Sequence, residues 1–305
     1  MPDNTLITTS LPIPEKYFET IITGVRNNSV VASLATATPQ AFTNANHIVF
    51  SQDPLAEYVG EGGNKSSSPV GVRTVPAKIH KLQTTVRMTN EVQWLDEDNR
   101  EGLLTAIFEK MNRAMADGID YGMLHGFNPL GGATTENLLA QAIVPNATQV
   151  TATADVLADI DALADSVLEN YDVNGIALDR MFANELRKLR VEATGARMFP
   201  EIGLTLDPGN LEGLKAVASG NVSGTKLGVT TGTKAIVGDW SQVKWGFVRN
   251  MGIEPIYYGD PDGNGDLKRT NQVAYRVEMV IAMAVLDPEA FAVLKAVDPA
   301  DDPDA

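Results

Sequence analysis

The sequence contains no cysteine. Disulfide bonds and thiolate metal sites are therefore excluded, and stability must come from packing or from assembly. No apolar run is long enough to cross a bilayer. The polar N-terminus, residues 1–5, lacks the basic segment and apolar core of a secretory signal. We therefore expect no membrane contact and a cytoplasmic compartment.

Basic residues are scarce. The chain has 24 Lys and Arg against 39 Asp and Glu, which gives a formal charge of −15. Such a surface repels nucleic-acid phosphates, so sequence-specific DNA binding is not expected, although a protein could enclose DNA without gripping it. With 305 residues, 44% of them hydrophobic, the chain is typical of a globular protein with one large domain or two smaller ones.

Motifs for catalysis or cofactor binding are also lacking. The three histidines, His47, His80 and His125, lie far apart, and no Gly-x-Ser-x-Gly elbow or His-x-x-x-His pair occurs. The glycine-rich segments 220–226 and 228–234 resemble phosphate loops but fail on spacing, so we interpret them as turns between strands. We expect no catalytic residue, cofactor or metal site, and we expect His125 to interact with carbonyls at the end of its helix.

Residues 260–266 invite a test for calcium. Asp260, Asp262, Asn264 and Gly265 match the first half of an EF-hand loop. The acid that should close the loop falls at Asn271, and the flanking segments have the pattern of strands rather than helices. The sequence Asp-Gly-Asn-Gly favours a hairpin turn. We interpret the segment as a hairpin, and a weak surface calcium site remains open.

Residues 61–76 form a polar excursion rich in glycine and serine, with too little apolar surface to fold alone. Before it, residues 56–59 are predicted to start a strand. After it, residues 70–75 are predicted to be extended, and Leu82, Thr84, Val86 and Met88 alternate with polar residues. Because an isolated two-stranded hairpin is marginal in water, this excursion needs a partner surface in its own domain or on another subunit.

The rest of the chain mixes helices and strands. The longest predicted helix covers residues 99–124, with Met111 and Met115 on an apolar stripe and Asp117 and Asp120 on the solvent face. Other predicted helices cover 17–25, 154–168, 183–190 and 289–296. Predicted strands cover 47–50, 175–178, 235–240, 243–249, 252–258 and 273–285. This mixture indicates an α+β or α/β fold, and we expect α+β.

Several segments, taken in order, resemble one known family. They are the segment 13–31, the run Ala56-Glu57-Tyr58-Val59-Gly60-Glu61, the segment 81–91, the segment 120–126 with Pro129 and Gly131, the segment 211–214, the run Gly238-Asp239-Trp240-Ser241, and the segment 287–291. Their order over nearly the whole chain resembles the major capsid protein of tailed bacteriophages, with the HK-ninety-seven-type fold that encapsulin cages share. The family usually has Trp where this chain has Tyr58.

The resemblance implies a division of the chain into parts. These are an N-terminal arm (1–35), a peripheral domain with a long spine helix (36–53 and 86–128), an extended two-stranded loop (54–85), an axial domain (129–234), further peripheral-domain strands (235–285), a return to the axial domain (286–297) and a disordered acidic tail (298–305). The chain starts almost at the arm, so the resemblance implies that scaffolding is separate or not needed.

The resemblance also implies a function. It implies a virion protein that is assembled in the host bacterial cytoplasm into hexamers and pentamers of an icosahedral shell around double-stranded DNA, with a portal as a further partner. We expect the inter-subunit contacts to include Tyr58, Glu61, Lys65, Arg73, Lys81 and Arg87. We also expect a chain lacking residues 62–75 to stay soluble but not to close shells. An encapsulin-like cage and a hydrolase with two carboxylates are the alternatives.

Overall fold

The computed structural model describes residues 28–38, 45–52, 54–92, 94, 102–130, 138–228 and 231–297. The predicted helix at 17–25, the predicted start of the long helix at 99 and the predicted acidic tail lie outside these residues. The described residues form an α+β fold built on two sheets, one of four strands and one of six.

The four-stranded sheet is antiparallel throughout and has the order β1-β2-β9-β8. Its strands are β1 (Ala45–Gln52), β2 (Gly71–Thr89), β8 (Val243–Ile256) and β9 (Gln272–Val285). Strand β2 is long enough to serve two neighbours, because Gly71 to Ala77 pair with β1 and Lys78 to Thr89 pair with β9. The β8–β9 connection is the hairpin predicted at 260–266.

Strand β8 corrects one prediction. The sequence pattern predicted two strands, 243–249 and 252–258, whereas the structure has one strand with register shifts between Phe247 and Arg249 and between Asn250 and Gly252. Each shift is a bulge, which interrupts the alternation of side chains without ending the pairing. The interrupted alternation is what the sequence pattern showed as a break.

Helix α1 (Val30–Leu34) packs against the long helix α2 (Leu103–Asp120), which continues into one π-helical turn (Tyr121–His125) that ends at Gly126. The apolar face of α2 packs against the four-stranded sheet, where an added Cβ on Gly118 would collide with Leu82. The predicted apolar stripe is confirmed, since Met111 and Met115 are buried.

The predicted solvent face of α2 is partly wrong. Asp117 and Asp120 are buried, whereas Arg113 is exposed. The reason is that α1 and the turn around Asn221 pack against this side of the helix and contact both carboxylates. A polar periodicity in a sequence shows which residues avoid apolar partners, but it does not distinguish water from a polar partner within the fold.

The six-stranded sheet has the order β3-β10-β7-β4-β6-β5. Its strands are β3 (Thr148–Thr151), β4 (Gly175–Leu178), β5 (Gly209–Leu211), β6 (Leu214–Ala218), β7 (Thr233–Gly238) and β10 (Phe291–Lys295). A short helix α3 (Ile143–Asn146) precedes β3, and helices α4 (Val156–Leu168) and α5 (Arg180–Lys188) pack on the sheet. The predicted strand 175–178 is confirmed.

The predicted helix at 289–296 is wrong. Pro288–Ala290 is a 3₁₀ turn capped by the Asp287 side chain, and Phe291–Lys295 is strand β10. Strand β10 lies between β3 and β7, with Phe291, Ala292, Val293 and Leu294 all buried. A strand that is buried on both faces shows no alternation, so its sequence cannot be told from a short buried helix by periodicity.

Candidate assembly surface

Strand β1 and the first part of β2 form a two-stranded extension at the edge of the four-stranded sheet. Near its base, Val75 and Ala77 are buried against Ala284. Farther out, Phe50 lies opposite Val72, and both side chains are exposed. The partner of residues 71–77 is therefore the segment 45–52, whereas the sequence pattern predicted pairing with a strand that begins at 56–59.

The loop 54–70 joins the two strands and has no strand of its own, so the predicted start of a strand at 56–59 is wrong. Polar contacts close the loop on itself. The Ser66 N–H and hydroxyl donate to the two carboxylate oxygens of Glu57, at 2.6 and 2.5 Å, and the Leu55 N–H donates to the Ser68 hydroxyl at 2.7 Å. The two hydrogen bonds from Ser66 lower the pKa of Glu57. Side-chain contacts thus replace the backbone ladder that a strand would need.

Large apolar side chains are exposed throughout the extension and its loop. Tyr58 has a relative exposure of 107%, so no other residue in the described part of the chain covers its side chain. The exposed apolar set consists of Ile48, Phe50, Leu55, Tyr58, Val59, Val70 and Val72. Single exposed apolar residues are ordinary, but a concentration of them on one extension marks an interaction surface.

Three of the six predicted contact residues lie on this loop. Tyr58, Glu61 and Lys65 are exposed. None of them has a hydrogen bond or ion pair with another residue in the described part of the chain. They are therefore available to a neighbouring molecule, and their contact with one stays a prediction.

The other three predicted contact residues have partners within the chain. Arg73 donates to the Leu286 carbonyl at 2.8 Å and pairs with Asp287 at 3.0 Å, and Lys81 pairs with Glu278 at 2.8 Å. The Tyr171 hydroxyl also donates to Asp287, and burial together with this bond raises the pKa of Tyr171 to about 12. Arg73 thus fastens the base of the extension to the segment before β10.

Arg87, the last of the six, lies on β2, and its guanidinium reaches into the hairpin loop at 260–266. Its guanidinium donates to the carboxylates of Asp262 and Asp260 and to the carbonyls of Asn264 and Gly265. The two carboxylates stand at loop positions 1 and 3, whose oxygens an EF-hand would direct at the ion. Arg87 supplies the positive charge instead, and its hydrogen bonds lower the pKa of Asp262 to about 2. The geometry thus favours a hairpin held by arginine over a calcium site.

A buried polar cluster at the end of α2 has no counterpart in the sequence prediction. One oxygen of Asp120 accepts from the Ser29 hydroxyl at 2.6 Å, and the two carboxylate oxygens together accept the N–H groups of Val30 and Val31. The Asn221 amide donates to Asp120 at 2.7 Å and to Asp117 at 2.9 Å. Burial raises the pKa of Asp120 to about 6, although these hydrogen bonds oppose the shift. The cluster joins three segments that lie far apart in sequence.

A sequence signal for this cluster existed. Ser29 precedes Val30 and Val31 in the manner of an N-cap, and its hydroxyl does accept the Ala32 N–H. Asp117 and Asp120 stand three residues apart on one face of a predicted helix without a basic residue between them. Two acids on one helix face need donors from elsewhere, which the glycine-rich turn around Asn221 provides.

His125 lies in the π-helical turn, and its predicted contact with the carbonyls of its own helix is wrong. Its Nε2 lies 2.8 Å from the Asn221 carbonyl, and its ring stacks on Phe127. His125 thus contacts the turn around Asn221, which packs on the end of the helix, instead of carbonyls of its own helix. The helix ends at Gly126. Burial lowers the pKa of His125 to about 4, so the ring is neutral at pH 7.

Metal sites and membrane-spanning helices are two further kinds of functional feature. Within the residues that the structure describes, no group of three or more His, Asp or Glu side chains is placed to hold a metal ion. No helix among the same residues is long and apolar enough to span a membrane. The exposed apolar set on the extension and its loop is the candidate functional feature of the described residues.

The described residues thus combine an α+β fold of two sheets with one long helix and an extension whose apolar side chains are exposed. The chain belongs to the phage capsid family, whose model matches residues 10–296. It is a structural major capsid protein of a bacteriophage, and hexamers and pentamers are the typical assemblies of its fold.

Solved structures agree with this assignment. A structure from Mycobacterium phage Ogopogo is 32% identical, with a TM-score of 0.77 over 88% of this chain and 92% of that one. One from Gordonia phage Cozz is 29% identical, with a TM-score of 0.76 over 89% and 87%. The capsid of a native GTA particle shares the fold at 13% identity and a TM-score of 0.57, over 88% and 90%. A search of curated protein sequences gives no match.

Proposed function

We propose that the chain closes an icosahedral phage head by self-association and that the loop 54–70 with its two strands is the main contact with neighbouring subunits. The observation that carries this proposal is the exposed apolar set on an extension without a core. Transfer of apolar surface from water is worth roughly 25 cal/mol per Å². A neighbouring subunit that covers Tyr58, Phe50 and Leu55 would gain this free energy at every copy of the contact.

The extension alone is a weak binding element. Ordering its backbone costs about 1–2 kcal/mol per residue, and the polar contacts of Glu57 and Leu55 compensate little of that. Repetition changes the balance, because each subunit in a closed shell makes the same contact and several weak contacts act together. This energetic pattern suits a subunit that stays soluble alone and becomes stable in a shell.

The remaining roles belong to the same proposal. The chain would act without catalysis, assemble in the host bacterial cytoplasm, and work with a portal and a separate scaffolding protein. It would enclose double-stranded DNA without sequence-specific binding, which its charge of −15 supports. The division into arm, extended loop, peripheral domain and axial domain is part of the proposal, as are contacts by Tyr58, Glu61, Lys65, Arg73, Lys81 and Arg87.

A loop replacement tests the proposal. Deletion of residues 62–75, as the sequence suggested, would also remove the buried Val75 and the pairing of Phe50 with Val72. Because Leu55 and Ser68 are in contact, two glycines can replace residues 56–67 without disturbing either strand. We expect a soluble subunit with unchanged melting temperature that forms no closed particles in electron microscopy and light scattering.

Two point variants complete the experiment. Tyr58→Ser should reduce particle yield without changing subunit stability, because the Tyr58 side chain is fully exposed among the residues that the structure describes. Leu168→Ser, at an exposed apolar residue on α4, is the matched control and should assemble normally. Normal particles from the loop replacement would refute the proposed role of the loop while leaving the family assignment intact.

A further inference from the structure

A polar cleft lies where α1, the long helix α2, the start of α5 and the end of β6 meet. Its volume is about 220 Å³. It is separate from the exposed apolar set and from the Arg87 hairpin. Its lining residues are Asn28, Ser29, Val30, Ser33, Arg113, Arg180, Asp207, Val217, Ala218, Ser219, Gly220 and Lys226.

Three cationic side chains from three parts of the chain reach this cleft. They are Arg113 on α2, Arg180 at the start of α5, and Lys226 in the turn before β7. Lys226 is neutralised by Asp117. Arg113 has one long contact, 3.5 Å, with the Asn28 amide oxygen. Arg180 has no hydrogen bond or ion pair within the described residues.

The one acid that lines the cleft does not neutralise the arginines. Asp207 lies in the wall, but it forms no ion pair within 4.0 Å in the described part of the chain. In a chain with 39 acids and 24 bases, two exposed arginines line one cavity, and neither forms an ion pair with a carboxylate in the described part of the chain. Like charges held together favour an anion between them.

We propose that this cleft binds a phosphate-type oxyanion between Arg113 and Arg180. A guanidinium presents a planar fork of N–H donors that matches the oxygens of phosphate in pairs. A cavity of about 220 Å³ has room for one such group with ordered water. The bound anion would bridge α2, on the four-stranded sheet, to α5, on the six-stranded sheet, at the point where the chain enters α1.

The proposal predicts that substitution of the arginines and substitution of Asp207 change anion affinity in opposite directions. Removal of a guanidinium should weaken binding, since a hydrogen bond to a charged group is lost. Asp207→Asn should strengthen binding, because it removes a negative charge that repels the anion while keeping the size of the side chain. A residue with a merely structural role would not give this pair of opposite signs.

Phosphate titration of the purified subunit tests the proposal. The melting temperature is measured with increasing inorganic phosphate, with chloride adjusted to keep ionic strength constant, since a ligand that binds only the folded state raises it. We expect the apparent Kd to rise about tenfold or more in Arg113→Gln and in Arg180→Gln, and to fall in Asp207→Asn. Arg269→Gln, at an exposed arginine in the β8–β9 hairpin, is the matched control and should behave as the parent.

Isothermal titration calorimetry keeps the test decisive if a variant is less stable, because it measures binding below the melting transition. An equal response of the parent, both arginine variants and Asp207→Asn would overturn the proposal, as would the absence of any phosphate effect on the parent. A short DNA duplex then distinguishes the source of the anion. Displacement of phosphate by the duplex assigns the cleft to backbone phosphates, and retention of phosphate assigns it to the free ion.

Discussion

The carboxylate of Asp120 accepts a hydrogen bond of 2.6 Å from the hydroxyl of Ser29, which lies 91 residues earlier in the chain. Asp120 ends the long helix α2, and Ser29 caps α1. Because the same carboxylate accepts the N–H groups of Val30 and Val31, one buried side chain holds the first turn of α1 against the end of α2. The point where the chain enters the fold therefore depends on the state of a single acid.

The stability of the subunit should carry a pH dependence that comes from Asp120. Its pKa is raised to about 6 in the folded chain, so the folded state binds this proton more tightly than the unfolded state. The stabilisation that comes from the Asp120 proton is fully present below about pH 4 and is lost as the pH rises through 6. A shift of about two pKa units corresponds to about 3 kcal/mol of stability. Urea unfolding of the parent and of Asp120→Asn at pH 4, 5, 6 and 7 measures it.

His125 also makes the stability of the subunit depend on pH in this range, but in the opposite direction to Asp120. The parent must therefore be compared with Asp120→Asn. The pKa of His125 is lowered to about 4, so its contribution is lost as the pH falls below about 6.5. The difference between parent and variant cancels the His125 contribution. We expect the parent to lose about 3 kcal/mol relative to Asp120→Asn between pH 4 and pH 7. Asp161→Asn, at an exposed acid on α4, should show no such trend, and a pH-independent difference for Asp120→Asn would contradict the assignment.

Arg87 should stabilise the β8–β9 hairpin within its own subunit. Arg87→Gln removes the hydrogen bonds to the carbonyls of Asn264 and Gly265 and to the Gln272 side chain. We expect the free energy of unfolding to fall by about 1–2 kcal/mol. Arg87→Lys should recover only part of this loss, because an ammonium group lacks the planar fork. Thermal unfolding of both variants measures the effect.

Calcium provides the check on this interpretation. If Arg87 fills the place of an ion, added calcium should not raise the melting temperature of the parent. Arg87→Gln is compared in the same titration with Lys81→Gln as the control. The ion pair between Lys81 and Glu278 is half exposed, so its loss should cost less than about 1 kcal/mol. Stabilisation of the parent by calcium would show that Asp260 and Asp262 bind the metal despite the arginine.

The sequence was sufficient for the elements with strong local patterns. Strand β4, the apolar face of α2 and the polar residues 61–69 of the loop were all predicted, because alternation, helical periodicity and a lack of apolar residues are local properties. The strand that pairs with residues 71–77 was not predicted. Pairing with β1 rather than with the segment 56–59 depends on contacts between distant residues.

The errors share a physical cause. Strand β10 was predicted as a helix because Phe291 to Leu294 are uniformly buried, so no period distinguishes the two structures. Asp120 was assigned to solvent because its partners, Ser29 and Asn221, come from segments far away in the sequence. The bond of Arg73 to Asp287 within the chain was likewise not foreseen, while its contact with another subunit stays a prediction. In each case the deciding contact is tertiary, and a periodicity does not contain it.

Close packing between β7 and the turn before β10 should make Gly238 sensitive to any side chain. A Cβ at Gly238 would lie 2.3 Å from the Ala290 carbonyl oxygen and 2.6 Å from the Phe291 ring. Because the carbonyl belongs to the backbone, the collision cannot be relieved by a rotamer change. We expect Gly238→Ala to lower the free energy of unfolding by about 1–3 kcal/mol, as overpacked cores do. Gly203→Ala is the matched control, since its new methyl group would meet only the Thr205 hydroxyl oxygen at 3.8 Å, and it should change stability by no more than about 0.5 kcal/mol. Urea unfolding of both variants decides the matter, and equal stabilities would show that β7 and the 288–290 turn can separate without cost.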